Sequence, residues 1–305
     1  MVFFKFGFMK TKYSLLLIFI FFFVLSEARV ATAQVVINEF SCSNLSQFVD
    51  DHSDYEDWIE LYNAGASTVN MTGYYLSDDS LNNIKWQIPA GITIGANGFL
   101  RFWTSGRNIA TPTGYHTNFK LTQTKNTEDF VVLSNPSAVI IDYVKLNNTN
   151  NTQLGHSRGR QPNGAAAWFV FTSPTPNSSN NASVTYSGYA VKPSFDISAG
   201  FYPSAITVTI TNNEPSSIIY YTLDGTLPTT ASLVYSAPFN ISATSVLKAF
   251  AKSTNPQILS SLVEYSTYFI NVNHTMSVVS IAATQLTTLA NGNGNIFPFG
   301  SWEYF

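Results

Sequence analysis

The chain has 305 residues, 45% of them apolar and only 11% charged, against roughly a quarter charged in an average soluble protein. Its 15 Lys and Arg against 18 Asp and Glu give a net charge of −3, which excludes the clustered cations that a nucleic-acid partner requires. The single cysteine, Cys42, excludes an internal disulfide, so stability must come from cores of ordinary size, with room for about two domains.

Lys5, Lys10 and Lys12 precede an unbroken apolar run over residues 15–25, and Ala31-Thr32-Ala33 places small residues before Gln34. That order predicts a secretory signal peptide, residues 1–33, cleaved after Ala33. The run falls short of the about 20 apolar residues of a membrane helix, so no transmembrane segment is expected after cleavage. Met9-Lys10-Thr11-Lys12 reads as a more natural start than Met1, and no cysteine near the cleavage site suggests a lipid anchor. Losing Lys5, Lys10, Lys12, Arg29 and Glu27 leaves 11 cations against 17 anions, a net charge of −6. The mature protein is expected to be secreted or held at the cell surface.

Beyond the leader, apolar alternation recurs and long helical periodicity hardly appears, so the chain is predicted to be all-β. Strands are expected near residues 35–37, 58–62, 69–76, 130–133, 139–144, 168–171 and 206–210, the last with Ile206, Val208 and Ile210 on one face and threonines on the other. Asn97-Gly98 and Asp224-Gly225 punctuate them as turns. Short, numerous strands point to tandem β-sandwiches. Residues 174–181, PTPNSSNN, hold prolines and little apolar surface and are read as a domain boundary. A second shift comes after Phe269, at Asn271-Val272-Asn273-His274. The expected units are residues 34–181, 182–270 and 271–305.

Val36-Ile37-Asn38-Glu39-Phe40, Asp57-Trp58-Ile59-Glu60-Leu61-Tyr62-Asn63, Gly73-Tyr74-Tyr75-Leu76-Ser77-Asp78-Asp79 and Lys85-Trp86-Gln87-Ile88-Pro89 follow one another in the first unit. Ser157-Arg158-Gly159-Arg160, Trp168 and Pro174-Thr175-Pro176-Asn177 close it. This ordered series resembles a bacterial lamin-tail domain. The resemblance implies an immunoglobulin-like sandwich used for attachment or interaction. In the second unit, Ile219-Tyr220-Tyr221-Thr222-Leu223-Asp224-Gly225-Thr226-Leu227-Pro228-Thr229, then Tyr235, Pro238, Ile241 and Val246-Leu247-Lys248-Ala249, resembles the small C-terminal sandwich of secreted chitobiases and hexosaminidases. Such a module accompanies a catalytic barrel, and the roughly 250 residues a barrel needs are missing here. Val278-Val279-Ser280-Ile281, Gly292-Asn293-Gly294-Asn295-Ile296-Phe297 and Gly300-Ser301-Trp302-Glu303-Tyr304-Phe305 resemble the opening of a spore-coat-protein-H-type kinase-like domain. The match departs from that family at Ala282-Ala283-Thr284, where an acidic residue is usual, and the family's nucleotide and metal residues would lie past Phe305.

Gly155-His156-Ser157-Arg158-Gly159 fits the G-x-S-x-G nucleophile elbow, which needs a strand before the serine and a helix after it. The polar run over residues 147–153 and the breakers Pro162 and Gly164 oppose both. Asp50, Asp51, Asp54, Glu56 and Asp57 are the weak candidates for a calcium site, without the spacing or glycine of an EF-hand; no other cofactor is expected. His52, His116, His156 and His274 are scattered and show no short zinc spacing. Trp103, Tyr202, Tyr220 and Tyr221 are the weak candidates for sugar stacking, with core packing as the competing role. Asn-x-Ser/Thr recurs, for example at Asn44 and Asn240, and in a bacterium reflects composition alone.

The first expectation is therefore a non-catalytic modular protein whose partner is an extracellular protein or polysaccharide. Carbohydrate-binding accessory modules and the front of an exported kinase-like enzyme are the alternatives.

Overall fold

The computed structural model describes residues 34–123, 129–147, 151–214, 216–283, 286 and 300–305. The expected signal peptide, Thr284 and the glycine-rich stretch 292–297 lie outside the described residues. As expected, the chain is all-β and builds two sandwiches in tandem. No helix among the described residues is long and apolar enough to cross a membrane.

The first sandwich sets a seven-stranded sheet against a four-stranded one. The large sheet runs Trp168–Phe171, Ser157–Arg160, Val35–Ser41, Trp58–Asn63, Phe99–Trp103, Tyr115–His116 and Ile109–Ala110. The small sheet runs Ile140–Leu146, Asp129–Ser134, Tyr75–Ser77 and Trp86–Gln87. Alternation aims Ile59, Leu61 and Phe102 at Leu76, Trp86, Val131 and Leu133, all buried in one core. Each such side chain contributes roughly 1.5–3 kcal/mol by leaving water. Arg160 and Asp142 join the two sheets through an ion pair in which the single Nη2 lies 2.9 and 3.0 Å from the two carboxylate oxygens.

One irregularity governs the outer face of the large sheet. Alternation in Val35–Ser41 breaks between Ile37 and Glu39, where a β-bulge inserts an extra residue. Val35, Ile37 and Phe40 consequently enter the core, and Glu39 is registered beside Glu60 of the next strand. The segment read as a boundary, residues 174–181, closes over this face instead of hanging free. Thr175 donates its N–H (3.0 Å) and hydroxyl (2.7 Å) to Glu39, and the Asn177 N–H donates to Glu60 at 2.5 Å. Asn180, opening a 3-10 turn, donates to the carbonyls of Asn38 and Arg160 at 3.3 and 3.0 Å. The segment has little apolar surface, and backbone and side-chain donors hold it down.

Gly159 lies under the same cover. A Cβ there would come within 2.3 Å of the Phe171 ring and 2.7 Å of the Asn180 amide. Gly159→Ala is expected to destabilise the first sandwich by about 1–3 kcal/mol through overpacking. Denaturant unfolding checks this, and an unchanged midpoint would show that the ring and strap can move aside.

Two expected strands divide. Residues 69–76 become Val69–Asn70 and Tyr75–Ser77, parted by a turn in which Gly73 takes a positive φ of 83°. Ile206–Val208 pairs with Phe239–Ile241, while Ile210–Thr211 pairs with Ser194–Phe195. Between them the Thr209 N–H turns to the Asp196 carboxylate at 2.7 Å.

The second sandwich centres on a five-stranded sheet ordered Gly200–Tyr202, Glu264–Ile270, Ser245–Ser253, Ser217–Thr222 and Leu233–Val234. Leu247, Ala249, Tyr268 and Ile270 meet Val208, Ile210 and Ile241 in its core. Tyr186 bridges back to Val170, and Gln153 donates to the Ser260 carbonyl at 2.8 Å, linking the two sandwiches. The final hairpin, Val279–Ala283 with Gly300–Tyr304, is tied to the second sandwich by Lys248, which donates to the Ala282 carbonyl at 3.1 Å, and by the Thr267–Ser280 hydroxyl pair at 2.7 Å.

Candidate functional site

The polar chemistry of the first sandwich gathers on the outer face of its large sheet and in the loop that rises from it. On the sheet, Glu39 and Glu60 are both fully buried. Glu39 accepts the Ser157 hydroxyl at 2.5 Å, and Glu60 accepts the Asn38 amide at 3.2 Å. Burial, reinforced by the neighbouring Glu39 charge, pushes the Glu60 carboxyl up to about 8. Burial raises Glu39 as well, against the lowering effect of its hydrogen bonds to Ser157 and Thr175. Two carboxylates so placed cannot both ionise cheaply, and the pair holds a proton near neutrality.

Ser157 itself sits in the strand Ser157–Arg160, fully buried, and that strand leads into a hairpin with Trp168–Phe171. Its hydroxyl faces a carboxylate that also holds down the strap. The geometry opposes a nucleophile elbow, as the breakers downstream of the serine suggested. His156 is half-buried at the junction with the second sandwich, 2.9 Å from the Tyr189 hydroxyl and stacked on its ring. Burial lowers its imidazole from the usual range.

The acidic loop does not bring its five carboxylates to one point. Asp50, Asp54 and Glu56 all pair with the guanidinium of Arg107, Asp50 at 2.9 Å and Glu56 at 3.1 Å. Asp57 turns inward to accept the Asn44 N–H at 3.0 Å, and burial raises its carboxyl to about 6. Asp51 leaves the group and accepts from Thr111, from Thr113 at 3.2 Å and from His116 Nε2 at 2.6 Å. The expected five-carboxylate calcium set is therefore corrected: the five do not converge, and Arg107, 51 to 57 residues downstream, supplies three of them with the positive charge that calcium would have brought. Lys120 adds a second cation, 2.9 Å from Glu56.

The sugar-stacking candidates also find internal roles. Trp103 is 2% exposed, with the Arg101 guanidinium 3.9 Å from its ring centre. Tyr202 is half-buried and donates to the Ser198 carbonyl at 2.6 Å. Tyr220 stacks on Phe250 on one face of its strand, and Tyr221 stacks on Phe239 against the core on the other. The four do not form one platform. Among the described residues, the most open large aromatics are instead Trp302 and Tyr304, each 67% exposed. Their alternation with Ser301 and Glu303 was a readable strand signal.

Sequence reasoning passed over two groupings. The burial of Glu39 and Glu60 was hidden by the bulge and by a cover drawn from more than 100 residues away. His52 and His116 meet edge to face, ring centres 5.1 Å apart, although 64 positions separate them. A strand-edge histidine following the turn Thr113-Gly114 was the available clue.

The register, bulge and capped acidic pair of this sandwich carry the ordered motifs read in the sequence. Residues 29–148 match the Lamin Tail Domain family model. The chitobiase/beta-hexosaminidase C-terminal domain model matches residues 197–264, within the second sandwich. An endoglucanase of Clostridium saccharobutylicum is 50% identical over 40 residues, covering 13% of this chain and 9% of that protein. The chain is thus a modular β protein that combines a lamin-tail-like module with one similar to a glycosidase-associated domain.

Proposed function

We propose that the protein is exported and acts outside the cell as a non-catalytic attachment protein, its lamin-tail module engaging an extracellular protein or polysaccharide. The observation that carries this reading is the commitment of Ser157, Glu39 and Glu60 to one another and to the strap. The groups best suited to chemistry are consumed in holding the fold. Export rests on the ordered charge, apolar run and small residues of positions 1–33. N-terminal sequencing of the chain recovered from the medium of a secreting bacterial host is expected to begin at Gln34. Recovery only inside the cell, with the leader intact, would overturn export.

A second reading, carbohydrate binding, is supported by a groove of about 640 Å³ beside the junction, lined by Ser187, Tyr189, Val191, Lys192, Ile258 and Leu262. The endoglucanase match and the glycosidase-associated model favour the same ligand class. Full-length protein that ignores chitin, fucosylated glycans and cell-wall polymers alike would remove it. The kinase-like continuation is supported by the final hairpin, which exposes Val279, Ile281, Trp302 and Tyr304 as a face for a further domain to cover.

A further inference from the structure

Four side chains of metal-ligating type, apart from the sealed carboxylates, converge where the acidic loop meets the end of the large sheet. Asp50, Asp51 and His52 are consecutive in the loop, and His116 comes from Tyr115–His116, the strand next to the sheet's edge. One ligand atom from each lies within 4.8 Å of all the others. The Asp51 Oδ1 is their common neighbour, 3.3 Å from His52 Nδ1 and 2.6 Å from His116 Nε2. His116 is fully buried, and Ser105 Oγ stands 3.0 Å from its Nδ1. That second contact fixes the ring and leaves Nε2 aimed into the cluster, the outer support that ligating histidines commonly have.

We propose that Asp50, Asp51, His52 and His116 bind one divalent first-row transition ion, with zinc as its representative. Tetrahedral zinc with nitrogen and oxygen ligands at 2.0–2.2 Å sets neighbouring ligand atoms roughly 3.4 Å apart, close to the His52–Asp51 spacing and a short opening away from the His116–Asp51 one. Two imidazoles select against calcium and magnesium, which take oxygen ligands. Two neutral imidazoles and two carboxylates supply the donor set, and Asp50 would share its charge between the ion and Arg107. Arg107 adds to this choice: by pairing with Asp50, Asp54 and Glu56 it offsets the acidic excess that would attract a hard cation. Access is open on one side, because His52 is exposed while His116 and Asp50 form the buried floor.

The ion would staple the loop to the sheet edge. In a module whose only cysteine is Cys42, buried and unpaired, such a link does what a disulfide does in other extracellular domains.

The test uses the full chain, purified without a polyhistidine tag and stripped with chelator, then titrated with zinc by calorimetry and with cobalt by visible absorption. One equivalent should bind, cobalt should give the intense spectrum of a four-coordinate site, and zinc should raise the melting temperature. His52→Ala removes an exposed ligand without disturbing the buried floor, and should weaken zinc by about tenfold or more. Asp54→Ala, outside the four, should leave zinc affinity unchanged. No uptake at about 1 mM zinc, which exceeds any functional affinity of this class, would overturn the proposal. So would uptake that survives both His52→Ala and His116→Ala, or binding of calcium in preference to zinc with dependence on Asp54.

Discussion

Arg160→Ala is expected to destabilise the first sandwich by about 3–5 kcal/mol, the scale for removing one partner of a buried ion pair. The side chain does four things at once. Its Nε donates to the Ile37 carbonyl at 2.7 Å and its Nη1 to the Ala165 carbonyl at 2.6 Å. Its Nη2 pairs with both oxygens of Asp142, and its guanidinium lies 4.6 Å from the Trp168 ring centre. Asp142 belongs to the opposite sheet and also accepts the Ile37 N–H at 2.8 Å. Losing Arg160 therefore strands a mostly buried carboxylate and leaves two backbone carbonyls without their donor. Lysine would restore the charge but not the planar fork, so Arg160→Lys should recover only part of the loss. Four of the five tryptophans, Trp58, Trp86, Trp103 and Trp168, lie in this module, so denaturant unfolding followed by their fluorescence reads it directly. A loss below about 1 kcal/mol would mean that the sheets are held by apolar packing alone.

The second large effect is a fall in stability with rising pH, set by Glu60. Its carboxyl is raised from 4.5 to about 8 in the folded chain, so the folded state holds the proton where the unfolded state has released it. Its contribution is fully present below pH 4.5 and is lost as pH rises to 8. Asp57, raised to about 6, and Glu39, also raised, act with the same sign. His156 is lowered from 6.5, so it adds stability as pH rises toward 6.5 and little above it. The window from pH 6.5 to 8 thus isolates the acidic pair. There the unfolding free energy should fall by about 2 kcal/mol, the limit for one proton over 1.5 pH units. Glu60→Gln costs stability at pH 5, because its amide faces the Asn38 donor, but it should flatten the slope above pH 6.5. An equal slope in the variant, or a wild-type stability that rises to pH 8, would contradict this assignment.

The residues that were legible in advance share a physical property: their signal is local. Alternation at Trp58–Asn63 and Asp129–Ser134 reports one buried face, and the core uses those strands as read. The ordered motifs around Glu39 and Glu60 fall within the residues that match the Lamin Tail Domain model, without exposing why those residues are there. Their role depends on a bulge that shifts the face of one strand and on a strap held by both backbone and side-chain donors, whose partners lie more than 100 residues away in the sequence for Glu39 and Glu60. The five carboxylates of the acidic loop do not meet at one point for a related reason. They were visible together, but Arg107 enters from a different strand connection and pairs with three of them. His52 and His116 looked scattered because their meeting requires the sheet to have formed. The aromatic candidates were ambiguous because period-2 alternation places Tyr220 and Tyr221 on opposite faces without saying which face is core.

Sedimentation of the purified full chain with isolated bacterial envelopes, with product release measured in the same tubes, tests the attachment reading most directly. The chain should sediment with the envelopes and release no soluble fragment, and Ser157→Ala should lower only its stability. A chain that stays in solution, or a release of product that Ser157→Ala or Glu39→Gln abolishes in folded protein, would contradict it.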